Sequence, residues 1–247
     1  MNEVIFNFKS KNFVVTGASS GMGKQIAIEL ALAGANVLVI ARREEKLIEL
    51  QNEYKNIEYI ACDVANKEKI EDGIIKFVQN FGKINGSVFA AGSSEITPLK
   101  GYAENIARNI LEVSFWNAIE FIQLVMKNKY IQKESSHILF SSVSGYSGEK
   151  GMFAYSGAKA AIRVAIKSIA KEIANKNHRI NTISPGWVKN DMTQKASELA
   201  DVESFYAKHL LGAGEITDVS GAVLFLLSDR AKWITGTDFV VDGGYLA

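Results

Sequence analysis

Phe13-Val14-Val15-Thr16-Gly17-Ala18-Ser19-Ser20-Gly21-Met22-Gly23 decides the fold. It opens as a short apolar run, the mark of a buried strand, and closes as a glycine-rich turn. Lys24-Gln25-Ile26-Ala27-Ile28-Glu29-Leu30-Ala31-Leu32-Ala33 then reads as a helix, with Gly34 as its stop. Strand, glycine turn and helix together present backbone N–H groups and a helix N-terminus to a pyrophosphate. Gly17 allows the tight turn, Gly21 lets the backbone approach phosphates, and Gly23 lets helix and strand pack closely. The spacing is G-x-x-x-G-x-G, not G-x-G-x-x-G. The competing reading is a plain β–α turn with no ligand.

Outward from this unit, strands and helices alternate. Asn36 to Ala41 is a second strand whose tip carries Arg42 and Arg43. In a dinucleotide fold that tip faces the adenosine ribose, where an acidic residue selects the 2′-hydroxyl of NAD. Two guanidinium groups suit a 2′-phosphate instead, which points to NADP(H). Ile57 to Val64 is the third strand, and Asp63 either accepts from the adenine amino group or caps the next helix, Asn66 to Phe81. Ile84 to Gly92 is the fourth strand and its exit turn. A long helical pattern runs from Ala103 to Lys129. His137 to Ser142 is the fifth strand, Ala154 to Asn175 a helix, Arg179 to Gly186 the sixth strand with its turn, Ile216 to Leu227 a helix, and Asp238 to Gly244 the last strand. This alternation predicts an α/β fold, a single-domain, Rossmann-type doubly wound parallel sheet of about seven strands with helices on both faces. Residues 1–247 form one domain, with a mobile substrate lid expected around 189–211.

Bulk properties fit one buried core. The chain has 247 residues, 47% hydrophobic and 22% charged, with a net charge of +1. That charge gives no bulk case for nucleic acid or an anionic membrane. The single Cys62 forms no intrachain disulfide framework and fits a reducing cytoplasm. No run reaches the roughly 18 apolar residues of a membrane span. His137, His178 and His209 share no metal-ligand spacing, so no metal is expected, and they read as ordinary surface or strand residues. Ser142 lacks the Gly-x-Ser-x-Gly elbow of a hydrolase.

Tyr155 and Lys159 stand four residues apart in Tyr155-Ser156-Gly157-Ala158-Lys159, on one face of a helix. A cation near a phenol favours the phenolate, and such a Tyr can exchange a proton with a carbonyl or an alcohol. With Thr16-to-Gly23, Ala90-Ala91-Gly92, Ser142, Pro185-Gly186-Trp187-Val188 and Val241-Asp242-Gly243-Gly244 in this order, the chain resembles the classical short-chain dehydrogenases/reductases over essentially its whole length. Within them it is most similar to 3-oxoacyl-[acyl carrier protein] reductases.

The resemblance implies a catalytic set. Tyr155 is the general acid in reduction and the base in oxidation. Lys159 lowers the Tyr155 pKa and bonds the nicotinamide ribose. Ser142, thirteen residues before Tyr155, orients the carbonyl and stabilises the oxyanion. Hydride comes from the nicotinamide. Gly17, Ser19, Ser20, Gly21, Met22 and Gly23, Arg42 and Arg43, Asp63 and Val64, Ala90, Ala91 and Gly92, and Pro185, Gly186, Val188 and Asn190 complete the expected cofactor site. Val188 and Asn190 face the carboxamide.

Two departures from the family pattern stand out. Ser114 replaces the usual Asn forty-one residues before Tyr155, a position that holds a water for proton relay. Phe89-Ala90-Ala91-Gly92 replaces Asn-Asn-Ala-Gly, which predicts looser polar bonding in the central sheet. Ser144, Tyr146, Phe153, Trp187 and Met192 are the expected substrate walls, with Glu95, Ile96 and Phe205 further candidates. Lys133 and Lys176 hint at an acyl carrier protein. The substrate is therefore a small carbonyl or alcohol, with a 3-oxoacyl thioester first and a keto-sugar, steroid or small secondary alcohol as alternatives. A low-turnover NADP(H)-binding regulatory protein is a separate reading, motivated by Ser114. The resemblance implies a homotetramer, the helices bearing apolar Phe115, Trp116, Phe121, Ile122, Ile162, Val164 and Ile166 pairing across one two-fold and the tail Tyr245-Leu246-Ala247 packing at a second.

Overall fold

The computed structural model describes residues 5–189 and 207–247. Seven strands share one sheet: β1 (Asn12–Thr16), β2 (Asn36–Ala41), β3 (Ile57–Ala61), β4 (Ile84–Phe89), β5 (Ile131–Phe140), β6 (Arg179–Pro185) and β7 (Asp238–Val241). Their spatial order is β3-β2-β1-β4-β5-β6-β7, and every neighbouring pair is parallel. The helices are α1 (Gly21–Leu32), α2 (Glu44–Glu53), α3 (Lys67–Phe81), α4 (Glu104–Leu111), α5 (Asn117–Val125), α6 (Ser144–Ser147), α7 (Phe153–Ile173) and α8 (Ile216–Leu227).

The strands are apolar on both faces because helices cover both. Val15, Val37, Val39 and Val88 pack with Ile26 and Leu30 of α1 and Val219 and Val223 of α8. Their sequence neighbours Val14, Leu38, Ile40 and Phe89 point the other way, against Ile70 and Ile74 of α3, Phe121 of α5 and Ile162 of α7. Each such side chain contributes about 1.5–3 kcal/mol on burial. The chain winds outward from β1 to β3 and then returns to β4 on the other side of β1. At that switch point the connections diverge and leave a crevice outside the carboxyl ends of the strands.

Several details differ from the sequence expectations. The helical pattern from Ala103 to Lys129 is not one helix. A π-helical turn, Glu112–Trp116, separates α4 from α5, and α5 stops at Val125. The helix after β3 is capped by Asn66, which accepts from the Lys69 N–H, not by Asp63. Phe89, which replaces a polar family residue at the end of β4, is buried. Its ring lies 5.5 Å from that of Phe121 inside the core. Most of the apolar residues assigned to subunit contacts are also core: Phe121, Ile122, Ile162 and Ile166 are buried, while Trp116 and Val164 are exposed. No helix among the described residues is long and apolar enough to cross a membrane.

Candidate active site

The turn after β1 begins with Gly17 at φ +70° and ends with Gly21 at φ +56°, a region that favours glycine. A Cβ on Gly23 would stand 2.6 Å from the Gly17 carbonyl oxygen, so α1 can lie this close to β1 only without a side chain there. Ser20 precedes α1 with no side-chain cap, and the first turn carries no acidic residue. The first N–H groups of α1 therefore face the crevice with a positive helix end behind them.

The second wall carries the arginines. Arg43 donates to Ser19 Oγ at 3.1 and 2.9 Å and to Ser20 Oγ at 2.5 Å. The guanidinium is thus held over the glycine turn. Arg42 is mostly exposed and lies 3.9 Å from Asp63. The other Asp63 oxygen accepts from the Ala65 N–H at 2.9 Å, closing a local turn. At the end of β4 the Ala91 N–H donates to Thr16 Oγ1 at 3.2 Å. A groove of about 510 Å³ runs between these walls, lined by Gly17, Ser19, Ser20, Gly21, Met22, Gly23, Arg42, Arg43, Asp63, Val64, Ala90, Ala91 and Gly92. An uncapped helix end, a preset guanidinium and small residues beneath them fit the phosphates of a dinucleotide.

Ser142 follows β5 by two residues, and its Oγ accepts from the Ser144 N–H at 3.2 Å. Tyr155 lies in the first turn of α7, with Ser142 close enough to bear on its phenol. Lys159, one turn on, is buried and donates to the Phe140 carbonyl at 2.7 Å. The three expected residues come together where β5 and α7 meet. Their electrostatics depart from expectation. Burial pushes the Tyr155 phenol up, and only the Ser142 hydrogen bond pulls it back. Burial also pulls Lys159 down, to about 8. The Lys159 ammonium stands 5.6 Å from the Tyr155 ring centroid.

The remaining expected residues divide. Ser114 sits in the π-helical turn, buried, and its Oγ has no hydrogen-bond partner among the described residues. The Gly186 N–H donates to the Val241 carbonyl, Pro185 accepts from the Val143 N–H, and Val188 is buried beside Gly214. Tyr146 is engaged away from the groove. Its hydroxyl donates to Asp238 at 2.6 Å, and the Arg163 guanidinium lies 3.6 Å over its ring. That corrects its expected place in the substrate wall. Phe153 is half exposed beside Tyr102, Ser144 is buried, and the Trp187 N–H donates to His209 Nε2 at 3.0 Å. Asn190, Met192, Phe205 and most of the expected lid lie outside the described residues.

His137 is a strand residue, in β5, and none of the three histidines is at the surface. His137 is fully buried between Ser87 Oγ at 2.8 Å and Ser135 Oγ at 2.9 Å, and Ser135 continues to His178 at 2.7 Å. His209 is buried too. The sequence reading also missed Asn117, a buried amide at the start of α5 that lines the groove. The signal was present: Asn117 precedes Ala118, Phe121, Ile122 and Val125 on a face that is otherwise apolar.

Comparison with known proteins agrees with this geometry. A family model described as enoyl-(acyl carrier protein) reductase matches residues 17–246. A 3-oxoacyl-[acyl-carrier-protein] reductase of Rickettsia felis is 34% identical over 98% of this chain and 99% of its own. The enzyme of that name from Staphylococcus epidermidis is 31% identical over 95% of this chain and 98% of its own. Among solved structures, a short-chain type dehydrogenase/reductase from Mycobacterium ulcerans superposes with a TM-score of 0.91 at 27% identity, covering 98% of this chain and 91% of that one.

Proposed function

The chain belongs to the short-chain dehydrogenase/reductase family and is an oxidoreductase of the ketone–alcohol class; on that premise we propose that it reduces 3-oxoacyl thioesters with NADPH. The observation that carries the reading is the convergence of Ser142, Tyr155 and buried Lys159 at the carboxyl end of β5, next to the dinucleotide-shaped groove.

The bound nicotinamide supplies the hydride to the carbonyl carbon. The chain's own residues manage the oxygen. The Ser142 hydroxyl donates to the carbonyl oxygen and orients it. Tyr155 donates its proton as negative charge develops there, which a phenol held neutral by burial is prepared to do. Lys159 then lies beside the phenolate and stabilises it until a proton returns. The Lys159 ammonium has three donors and one protein acceptor, Phe140, so donors remain for a ribose hydroxyl and a water. We assign that water to Ser114, whose buried hydroxyl is unpartnered among the described residues. Arg43 is the residue we assign to the 2′-phosphate, hence NADPH over NADH.

The substrate class rests on the 3-oxoacyl reductases that match nearly end to end. The family model's description names an enoyl reductase. Two hydroxyls converging on one point favour a carbonyl oxygen, the atom that takes the proton in ketone reduction. We further place the enzyme in the cytoplasm as a homotetramer, for which exposed Trp116 and Val164 offer an apolar contact. The test is NADPH oxidation with matched 3-oxoacyl and enoyl thioesters, a keto-sugar and a steroid ketone. Turnover chiefly of the 3-oxoacyl thioester is expected. Turnover chiefly of the enoyl thioester would overturn the reading.

A further inference from the structure

The ending Val241-Asp242-Gly243-Gly244-Tyr245 takes no part in the phosphate or hydride chemistry, yet its geometry is closely fixed. The Asp242 carboxylate accepts from the Gly244 N–H at 2.9 Å and from the Leu246 N–H at 3.0 Å. Gly243 and Gly244 have φ of +58° and +84°, a region that favours glycine. A Cβ on Gly244 would stand 2.9 Å from Leu210 Cδ1. This turn carries Tyr245 to a half-buried place between two segments that flank the catalytic residues.

The first segment is the loop that leads into α7. The Tyr245 hydroxyl donates to Glu149 Oε1 at 2.5 Å. Burial and that carboxylate hold the phenol above its ordinary pKa, so it stays a donor. The Glu149 N–H donates to the Oγ of Ser156, next to Tyr155, at 3.2 Å, and the Glu149 carbonyl accepts from the Met152 N–H at 3.0 Å. The Gly151 carbonyl accepts from the Thr97 N–H at 2.6 Å, which ties in the loop after β4. The second segment is the exit of β6. The Tyr245 ring lies 4.8 Å from the His209 ring, and His209 Nε2 accepts from the Trp187 N–H at 3.0 Å. One side chain therefore joins the entrance of the Tyr155 helix to the Trp187 wall.

We propose that Tyr245 is a positioning residue for ketone reduction: its hydroxyl fixes, through Glu149, the loop that sets the start of the Tyr155 helix, and its ring braces the His209 that holds Trp187. This rests on Tyr155 as the proton donor and goes beyond it by naming what aligns that donor. Tyr245 touches no reacting atom. It acts on alignment, where a small displacement far from the chemistry slows the reaction.

The test measures kcat, KM and NADPH affinity in wild type, Tyr245→Phe, Glu149→Ala, the double variant and Glu149→Gln, with urea midpoints alongside. The ketone is whichever of a 3-oxoacyl thioester, a keto-sugar and a steroid ketone the wild type reduces fastest, so failure of the thioester reading is seen separately. Tyr245→Phe keeps the ring on His209 and removes the bond to Glu149. Its kcat should fall about tenfold, with KM and NADPH affinity within about twofold, because the glycine turn and Arg43 lie on other segments. Glu149→Ala should match it, and the double variant should be no slower than either single one, as for two ends of one bond. Glu149→Gln, which keeps an acceptor for the hydroxyl, should recover to within about threefold of wild type. Wild-type kcat in Tyr245→Phe would overturn the proposal whatever the urea midpoint, because the bond would then serve stability alone. So would losses that multiply in the double variant, or a Glu149→Gln as slow as Glu149→Ala. A wild-type protein that reduces no ketone would defeat the reductase reading, and this inference with it.

Discussion

The Lys159 ammonium donates to the Phe140 carbonyl at 2.7 Å, so the cation is fixed at the end of β5 before any ligand arrives. Burial brings its pKa down to about 8. In the proposed mechanism that charge steadies the Tyr155 phenolate, and it is present below that value and lost above it. The kcat/KM for ketone reduction should therefore be level below pH 8 and fall above it. A pH–rate profile on the free enzyme checks this. Lys159→Met should reduce kcat/KM by on the order of 100-fold and remove this basic limb. A limb that persists in the variant would assign the titration to another group.

Arg43 is held over the glycine turn by Ser19 and Ser20, whereas Arg42 is mostly exposed beside Asp63. Arg43→Ala should weaken NADPH at least about tenfold, the loss expected for a charge-assisted bidentate contact, and leave NADH within about twofold. Arg42→Ala should do less, because an exposed pair is worth little. Dissociation constants for both cofactors decide it.

Much of this site was legible because its chemistry depends on local spacing. The glycine turn, the Arg42-Arg43 tip and the Tyr155–Lys159 pair are short patterns that fold in place. What was hidden depends on side chains that meet from distant segments. Nothing in the sequence shows that Arg43 reaches Ser20, that Tyr146 turns to Asp238, or that Ser87, Ser135, His137 and His178 form one buried chain. The π-helical turn was invisible because one extra residue per turn hardly disturbs an apolar pattern of period 3.6. Asn117 was overlooked because a single polar residue in an apolar stripe reads as noise until its burial is known.

Gly23 has no room for a side chain. With the Gly17 carbonyl oxygen 2.6 Å from a Cβ there, Gly23→Ala must lift α1 from β1. Overpacking of this kind costs about 1–3 kcal/mol, readable in urea unfolding. The same shift moves the helix end from the groove, so NADPH affinity should fall with stability.

His137 offers a test of the buried polar chain. Its pKa is lowered from 6.5 to about 3 by desolvation, with His178 and Arg179 adding to it. The unfolded chain takes up a proton near pH 6.5 while the folded protein stays neutral. This contribution to stability is present above pH 6.5 and is lost progressively as pH falls toward about 3. Urea midpoints should decline between pH 7 and pH 5.5, above the range where ordinary carboxylates titrate. His137→Gln should flatten that slope, at a cost in absolute stability.

The most direct measurement is NADPH oxidation with a 3-oxoacyl thioester by wild type and Tyr155→Phe side by side. Phe keeps the ring and its packing and removes only the hydroxyl beside Ser142. Turnover in the wild type, reduced about 100-fold or more in Tyr155→Phe at unchanged NADPH affinity, is the predicted result. Equal turnover in the two proteins would contradict the account, because the proton would then come from somewhere other than Tyr155.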